Sequence, residues 1–216
     1  RESMRVLLGT VPYHESVFKI YQYIQAAPSP RDRSRYSFLG NIIMFNSQYA
    51  CLTDLEGIDT RPFFFNRFMD QAVRRGLLRY PMELRNPDNY DPYMIRRDPK
   101  SAPALELLPE PPMVKGVRRN DGAGWIFVEH PSIRARYGVR RVSRRVLNIA
   151  RQELRGEIAR VNQWLRGDTY GYTEEVSGSV VRSCSNIYGT NWVNNGMLEH
   201  VPPECRKAFL RVRASI

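Results

Sequence analysis

Cysteine, histidine and lysine are scarce in this sequence of 216 residues, with three, three and four copies. Cys51, Cys184 and Cys205 are odd in number, far apart and without a C-x-x-C pair, which excludes a disulfide scaffold and a four-cysteine zinc site. A reducing intracellular compartment is the simple reading. His14, His130 and His200 are isolated in the chain, and each has an acid beside it in Glu15, Glu129 or Glu199. Adjacent residues on a strand point to opposite faces, so these are not catalytic pairs. His14, Cys51 and Asp54 could meet only through tertiary structure. No phosphate-binding glycine loop, dinucleotide fingerprint, zinc-protease helix or nucleophile elbow occurs. The expectation is a non-enzyme with no cofactor and no metal. Nor is there an apolar run approaching the roughly 18–20 residues of a membrane span, and Val6-Leu7-Leu8 is too short for a signal-peptide core.

What the sequence has instead is arginine: 29 of its 33 basic residues, in a chain of formal net charge +11. From Lys115 to Arg166 there are 13 basic residues against 4 acidic ones, a local balance of +9. Arginine's planar fork suits phosphate and carboxylate, so this field implies a polyanionic or acidic partner. The chain opens on Arg1 rather than methionine, which fits a removed presequence or a start at Met4. An organelle import route suits the first case, and GC-rich coding alone would give the same arginine bias. The compartment is accordingly the cytoplasm, including that of a phage-infected cell, or the mitochondrial matrix.

The predicted fold class is α+β: a helical N-terminal domain over 1–79, a proline-rich connector over 80–116 and a basic α+β module over 117–216. Val17, Ile20, Tyr21 and Ile24 suit a helix over Tyr13–Gln25, closed by Pro28 and Pro30. Arg31, Asp32, Arg33 and Arg35 then read as a solvated turn. Phe38, Ile42, Phe45 and Tyr49 suit a second helix, and Thr60 with Pro62 opens a third through Ala72, ended at Gly76. Their aromatic stripes read as helix-to-helix core. The connector holds eight prolines, a density that argues against helix and central strand. It reads as a strap docked on protein neighbours.

Beyond it, Gly124–Glu129 reads as a strand, Pro131–Tyr137 as a short helix, and Ser143 as the cap of a long helix ending at Gly167. A hairpin turned at Ser177-Gly178 and a final helix from Pro202 follow. On the long helix Leu147, Ala150, Leu154, Ile158, Val161 and Leu165 share a core face. Arg144, Arg151 and Arg155 align within about 20° beside it, with Asn148 near the line. Arg140, Arg141 and Arg145 crowd the helix N-terminus, where cations oppose the macrodipole unless an anion binds. Glu153 and Glu157 offer partial relief. These six arginines, Arg140, Arg141, Arg144, Arg145, Arg151 and Arg155, are the candidate phosphate-binding site.

Roughly residues 124–190 resemble a module of uncharacterised phage and bacterial proteins. The matching residues are Tyr137, Gly138, Glu157, Asn162, Gln163, Trp164, Leu165, Gly167, Asp168, Tyr170, Gly171, Tyr172, Ser183, Cys184, Tyr188 and Gly189. The resemblance implies no known activity. It departs at Arg182 and Ser185, where the module carries Asp and Trp, so the acidic, aromatic hairpin tip is altered here. Asn162, Gln163 and Asp168 read as fixing the helix-to-hairpin corner, and Cys184 as a small hydrophobe rather than a nucleophile.

Two function classes stay open. One is a non-enzymatic protein that holds RNA or DNA phosphates within a nucleoprotein assembly, as a ribosome-like particle subunit or a phage accessory protein. The other is an accessory subunit of a large organellar or virion complex whose arginines meet acidic protein surfaces. An anti-defence inhibitor carried by a phage is a further alternative.

Overall fold

The computed structural model describes residues 4–25, 29–33, 36–54, 61–110 and 122–216. Its elements are, in chain order, strands β1 (Met4–Tyr13), β2 (Ser16–Ile24) and β3 (Asn41–Met44), helix α1 (Pro62–Arg74), strand β4 (Leu77–Arg85), helix α2 (Pro92–Arg97), strands β5 (Ala104–Leu107) and β6 (Gly124–Glu129), helices α3 (His130–Tyr137) and α4 (Arg144–Leu165), strands β7 (Thr169–Val176) and β8 (Ser179–Tyr188), and helix α5 (Pro203–Ala214). Single 3₁₀ turns occupy Ser47–Leu52 and Pro99–Ser101. The chain divides into two compact units, one of residues 1–27, 88–103 and 162–216, the other of 28–87 and 104–161.

The first unit is built on an antiparallel sheet in the order β1-β2-β7-β8. Residues directly opposite across antiparallel strands share a face, so the pairs Phe18–Glu174, Ile20–Tyr172 and Gln22–Tyr170 define one side. Phe18, Ile20, Tyr170 and Tyr172 on that side pack with Trp192, Met197, Val201, Cys205 and Phe209, which places the core beneath α5 and the segment before it. The β7–β8 turn at Ser177 and Gly178 has positive φ at both residues, the backbone that a tight hairpin needs.

The second unit has its own antiparallel sheet in the order β3-β6-β4-β5. Ile43, Trp125 and Phe127 on one face pack with Phe65, Met69 and Ala72 of α1. On the other face Ile126 meets Gly40 and Leu154 of α4, packed so closely that a Cβ on Gly40 would lie 2.6 Å from Leu154 Cδ2. The sheet is thus a layer between α1 and α4.

The expected helical N-terminal part is overturned: of the three helices only α1 forms, and the other regular elements of the described stretch are β1, β2, β3, a 3₁₀ turn and the start of β4. In β2 the positions read as a helical stripe (17, 20, 21 and 24) compete with an alternation over Phe18, Ile20, Gln22 and Ile24, all of them buried. β-Branched and aromatic residues dominate the segment and favour the pleated solution. The stripe over Tyr36–Tyr49 likewise becomes β3 and a 3₁₀ turn. The connector also carries more regular structure than its prolines suggested. Pro81 sits within the inner strand β4, opposite Trp125. Its carbonyl accepts from Leu108 N at 2.8 Å, so its missing N–H faces the β5 side and the ladder to β6 is intact. Pro92 and Pro99 stand at the first positions of a helix and a 3₁₀ turn, where no N–H is needed. Pro28, Arg35, Thr60 and the connector beyond residue 110 lie outside the described residues.

Among the described residues no helix is long and apolar enough to cross a membrane.

Candidate functional site

Helix α4 begins where Ser143 Oγ accepts from Val146 N at 3.2 Å, and it carries no acid in its first turn. Its core side is set by Ala150, Leu154, Ile158, Val161 and Leu165, all buried. At about 100° per residue, Arg145 and Gln152 point directly away from that side. The ridge of Arg144, Arg151 and Arg155 runs along one shoulder, with Asn148 between ridge and crest.

An open groove of about 590 Å³ follows this surface, and the described residues that line it are Arg144, Arg145, Asn148, Ile149, Arg151, Gln152 and Arg155. Four of the six arginines expected from the sequence therefore share one groove. Arg140 and Arg141 lie exposed on the turn between α3 and α4 and do not line it.

Arg151 is the anchored member of the set. Its Nε donates to Glu110 Oε2 at 3.2 Å and its Nη1 to Asn148 Oδ1 at 2.9 Å. Partial burial opposes its charge, but the Glu110 carboxylate and the Tyr80 phenol outweigh that and raise its pKa. Burial pushes the Tyr80 phenol up, helped by Glu110 and opposed by Arg151 and Arg155. Arg144, Arg145 and Arg155 are exposed.

The two acids expected to relieve the ridge are engaged elsewhere. Glu153 bonds Arg136 and the Tyr137 hydroxyl of α3. Glu157 Oε1 accepts from Arg31 Nη1 at 2.9 Å, and its other oxygen accepts from Leu39 N at 3.1 Å. Burial raises the Glu157 pKa, against the pull of Arg31 and the backbone donors of Gly40 and Leu39.

Arg31 itself is not a solvated turn residue. Its side chain is 2% exposed and forks onto Asp54, whose side chain is wholly buried. Its Nη2 also donates to Gly40 O at 2.8 Å, and its guanidinium lies 3.9 Å from the centre of the Phe38 ring. Asp54 completes the knot by accepting from Ile42 N at 2.7 Å. The cluster of Arg31, Asp54 and Glu157 is saturated with partners and fastens the chain around Gly40 to α4.

Other residues singled out in the sequence hold structure. Gly167 N donates to Trp164 O and Asp168 N to Gln163 O, closing the helix-to-hairpin corner. Burial pushes the Cys184 thiol up, the direction opposite to an activated nucleophile. Asp54 is committed to Arg31. Among the described residues no group of three or more His, Cys, Asp or Glu side chains could hold a metal ion.

Sequence reasoning missed three parts of this surface. Ile149 and Gln152 were readable by counting 180° from the core stripe. Glu110 lies 41 residues from Arg151 in the chain, and no local pattern pairs them.

No protein family, curated protein or solved structure matches this chain.

Proposed function

We propose that the chain is a non-enzymatic nucleic-acid-binding protein, an accessory or structural component of a nucleoprotein assembly, whose α4 surface holds backbone phosphates. The observation that carries this reading is the exposed positive charge of α4. Arg144, Arg145 and Arg155 are exposed, while Glu153 and Glu157 face other partners. A helix selected only for its own stability would place acids in the first turn. Here the first turn holds Arg144 and Arg145, and a bound polyanion resolves that conflict. Binding of this kind is mostly sequence-independent and salt-sensitive.

A filter-binding titration against mixed-sequence RNA and duplex DNA tests it, run beside the variant Arg144→Glu, Arg151→Glu, Arg155→Glu. The reading requires binding by the native chain and its loss in the folded variant. Equal binding by both would remove α4 as the surface.

The second reading is an interaction subunit that meets an acidic protein surface. Glu110 favours it to this extent: the ridge already accepts one carboxylate, at Arg151. The two readings separate in the same titration, since an acidic protein ligand leaves the nucleic-acid arms empty.

A further inference from the structure

Three features of α4 go beyond what phosphate holding requires. The first is its freedom. From Ser143 to Ile149 no residue is fully buried, and Ser143, Arg144, Arg145, Asn148 and Ile149 are exposed. Val146 and Leu147 are only partly buried and Ala150 is the first buried position. The second is the chemistry of the crest. A surface that only neutralises phosphate needs cations, yet beside Arg145 the arc opposite the core presents Gln152 and Ile149, the last 46% exposed, with Asn148 at its edge. The third is Gly156, on the same arc one turn beyond Gln152. A Cβ built there meets nothing within 4 Å, so no internal packing calls for glycine in the middle of this helix. A bare backbone at that point lets another surface come close.

We infer that the leading half of α4 enters the major groove of B-form duplex DNA, where Asn148 and Gln152 read base edges between arginines that hold the flanking phosphates. This rests on the nucleic-acid reading above and narrows it to one ligand. Asparagine and glutamine can each bond the two major-groove groups of adenine, arginine does so with guanine, and an apolar side chain meets the thymine methyl. The adenine pair takes one Asn148 amide N–H for N7 and the side-chain oxygen for the N6 amino group, and that oxygen, which accepts from Arg151 Nη1 at 2.9 Å, has a second lone pair for it. From Arg144 to Arg155 the helix rises about 16 Å, long enough to follow several phosphates of one strand. Width decides between duplexes. A helix with side chains is about 10–12 Å across and fits the roughly 12 Å major groove of B-DNA. The A-form major groove of RNA is too narrow to be read this way. Single strands are held by stacking on aromatic rings, and the described lining of the groove has none.

The test uses the full chain with four fluorescent probes of matched sequence: a DNA duplex, an RNA duplex and each single strand. At equal salt the DNA duplex is expected to bind about tenfold or more tightly than the other three. Selection from a random duplex library is expected to yield a base preference that Asn148→Ala with Gln152→Ala abolishes. In that variant the thermal midpoint stays as in the native chain. RNA bound as tightly as DNA overturns this inference and leaves the phosphate-binding reading standing. A preference that survives the double substitution also overturns it, as does a library that yields none. Binding to no probe overturns both readings together.

Discussion

Arg151 and Glu110 face each other at 3.2 Å, so the middle of the basic ridge carries its own carboxylate. Any phosphate that uses Arg151 must displace or share with Glu110. Both side chains are about one-third exposed, and partly exposed pairs of this kind contribute at most about 1 kcal/mol. Glu110→Gln is therefore expected to tighten nucleic-acid binding by about two- to fivefold, with little change in thermal midpoint. Weaker binding by this variant would mean that Glu110 positions Arg151 rather than competes for it.

The Arg31 cluster behaves differently because it is buried. Arg31→Met leaves Asp54 and Glu157 enclosed without their shared cation, a loss expected to cost about 3–5 kcal/mol. The measurement is the urea midpoint. Arg31→Lys retains the charge but cannot fork onto Asp54 and reach Glu157 and Gly40 at once. It is expected to recover only part of the lost stability.

Two glycines should respond with opposite signs. Gly156 is exposed within α4 and a methyl group there meets nothing, so Gly156→Ala is expected to stabilise the fold by roughly 1 kcal/mol. Gly167 has φ +74°, and a Cβ would lie 1.9 Å from Ile24 Cδ1. Gly167→Ala is expected to cost about 1–3 kcal/mol. Thermal melts of the two variants give both signs directly.

Alkaline pH provides a further check. Burial, then the charge of Asp168, raises the Tyr170 phenol well above its ordinary value. Above about pH 10 the unfolded phenol sheds a proton that the folded one keeps, so stability falls as pH rises. Tyr170→Phe removes this contribution, and the decline of the urea midpoint between about pH 9 and 11 should flatten. An unchanged slope would place the alkaline sensitivity elsewhere.

Legibility in the sequence followed the range of the interactions. The C-terminal half was readable because its signals are local: the Ser143 cap, the core stripe of α4, and Ser177-Gly178 turning β7 into β8. The N-terminal half was not, because β2 can be counted by either period. Its strand form is decided by pairing with β1 and with β7, which lies more than 140 residues further along the chain. The same holds at the candidate site. The arginine ridge is a helical count and was visible. Removal of Glu153 and Glu157 from it depends on Arg136, Tyr137 and Arg31 arriving from other elements. The Pro81 strand was hidden because the general exclusion of proline from inner strands gives way where the missing N–H falls beyond a neighbour's end.

The most direct measurement is the salt dependence of binding to a duplex, with affinity followed from low to physiological ionic strength. Six arginines stand on or beside the leading half of α4. Phosphate contacts by three to six of them give a plot of log affinity against log salt with a slope between about −3 and −5. A slope in that range, made shallower by Arg144→Glu with Arg155→Glu, is the expected result. A slope near zero, or no binding at physiological salt, would contradict phosphate holding by α4.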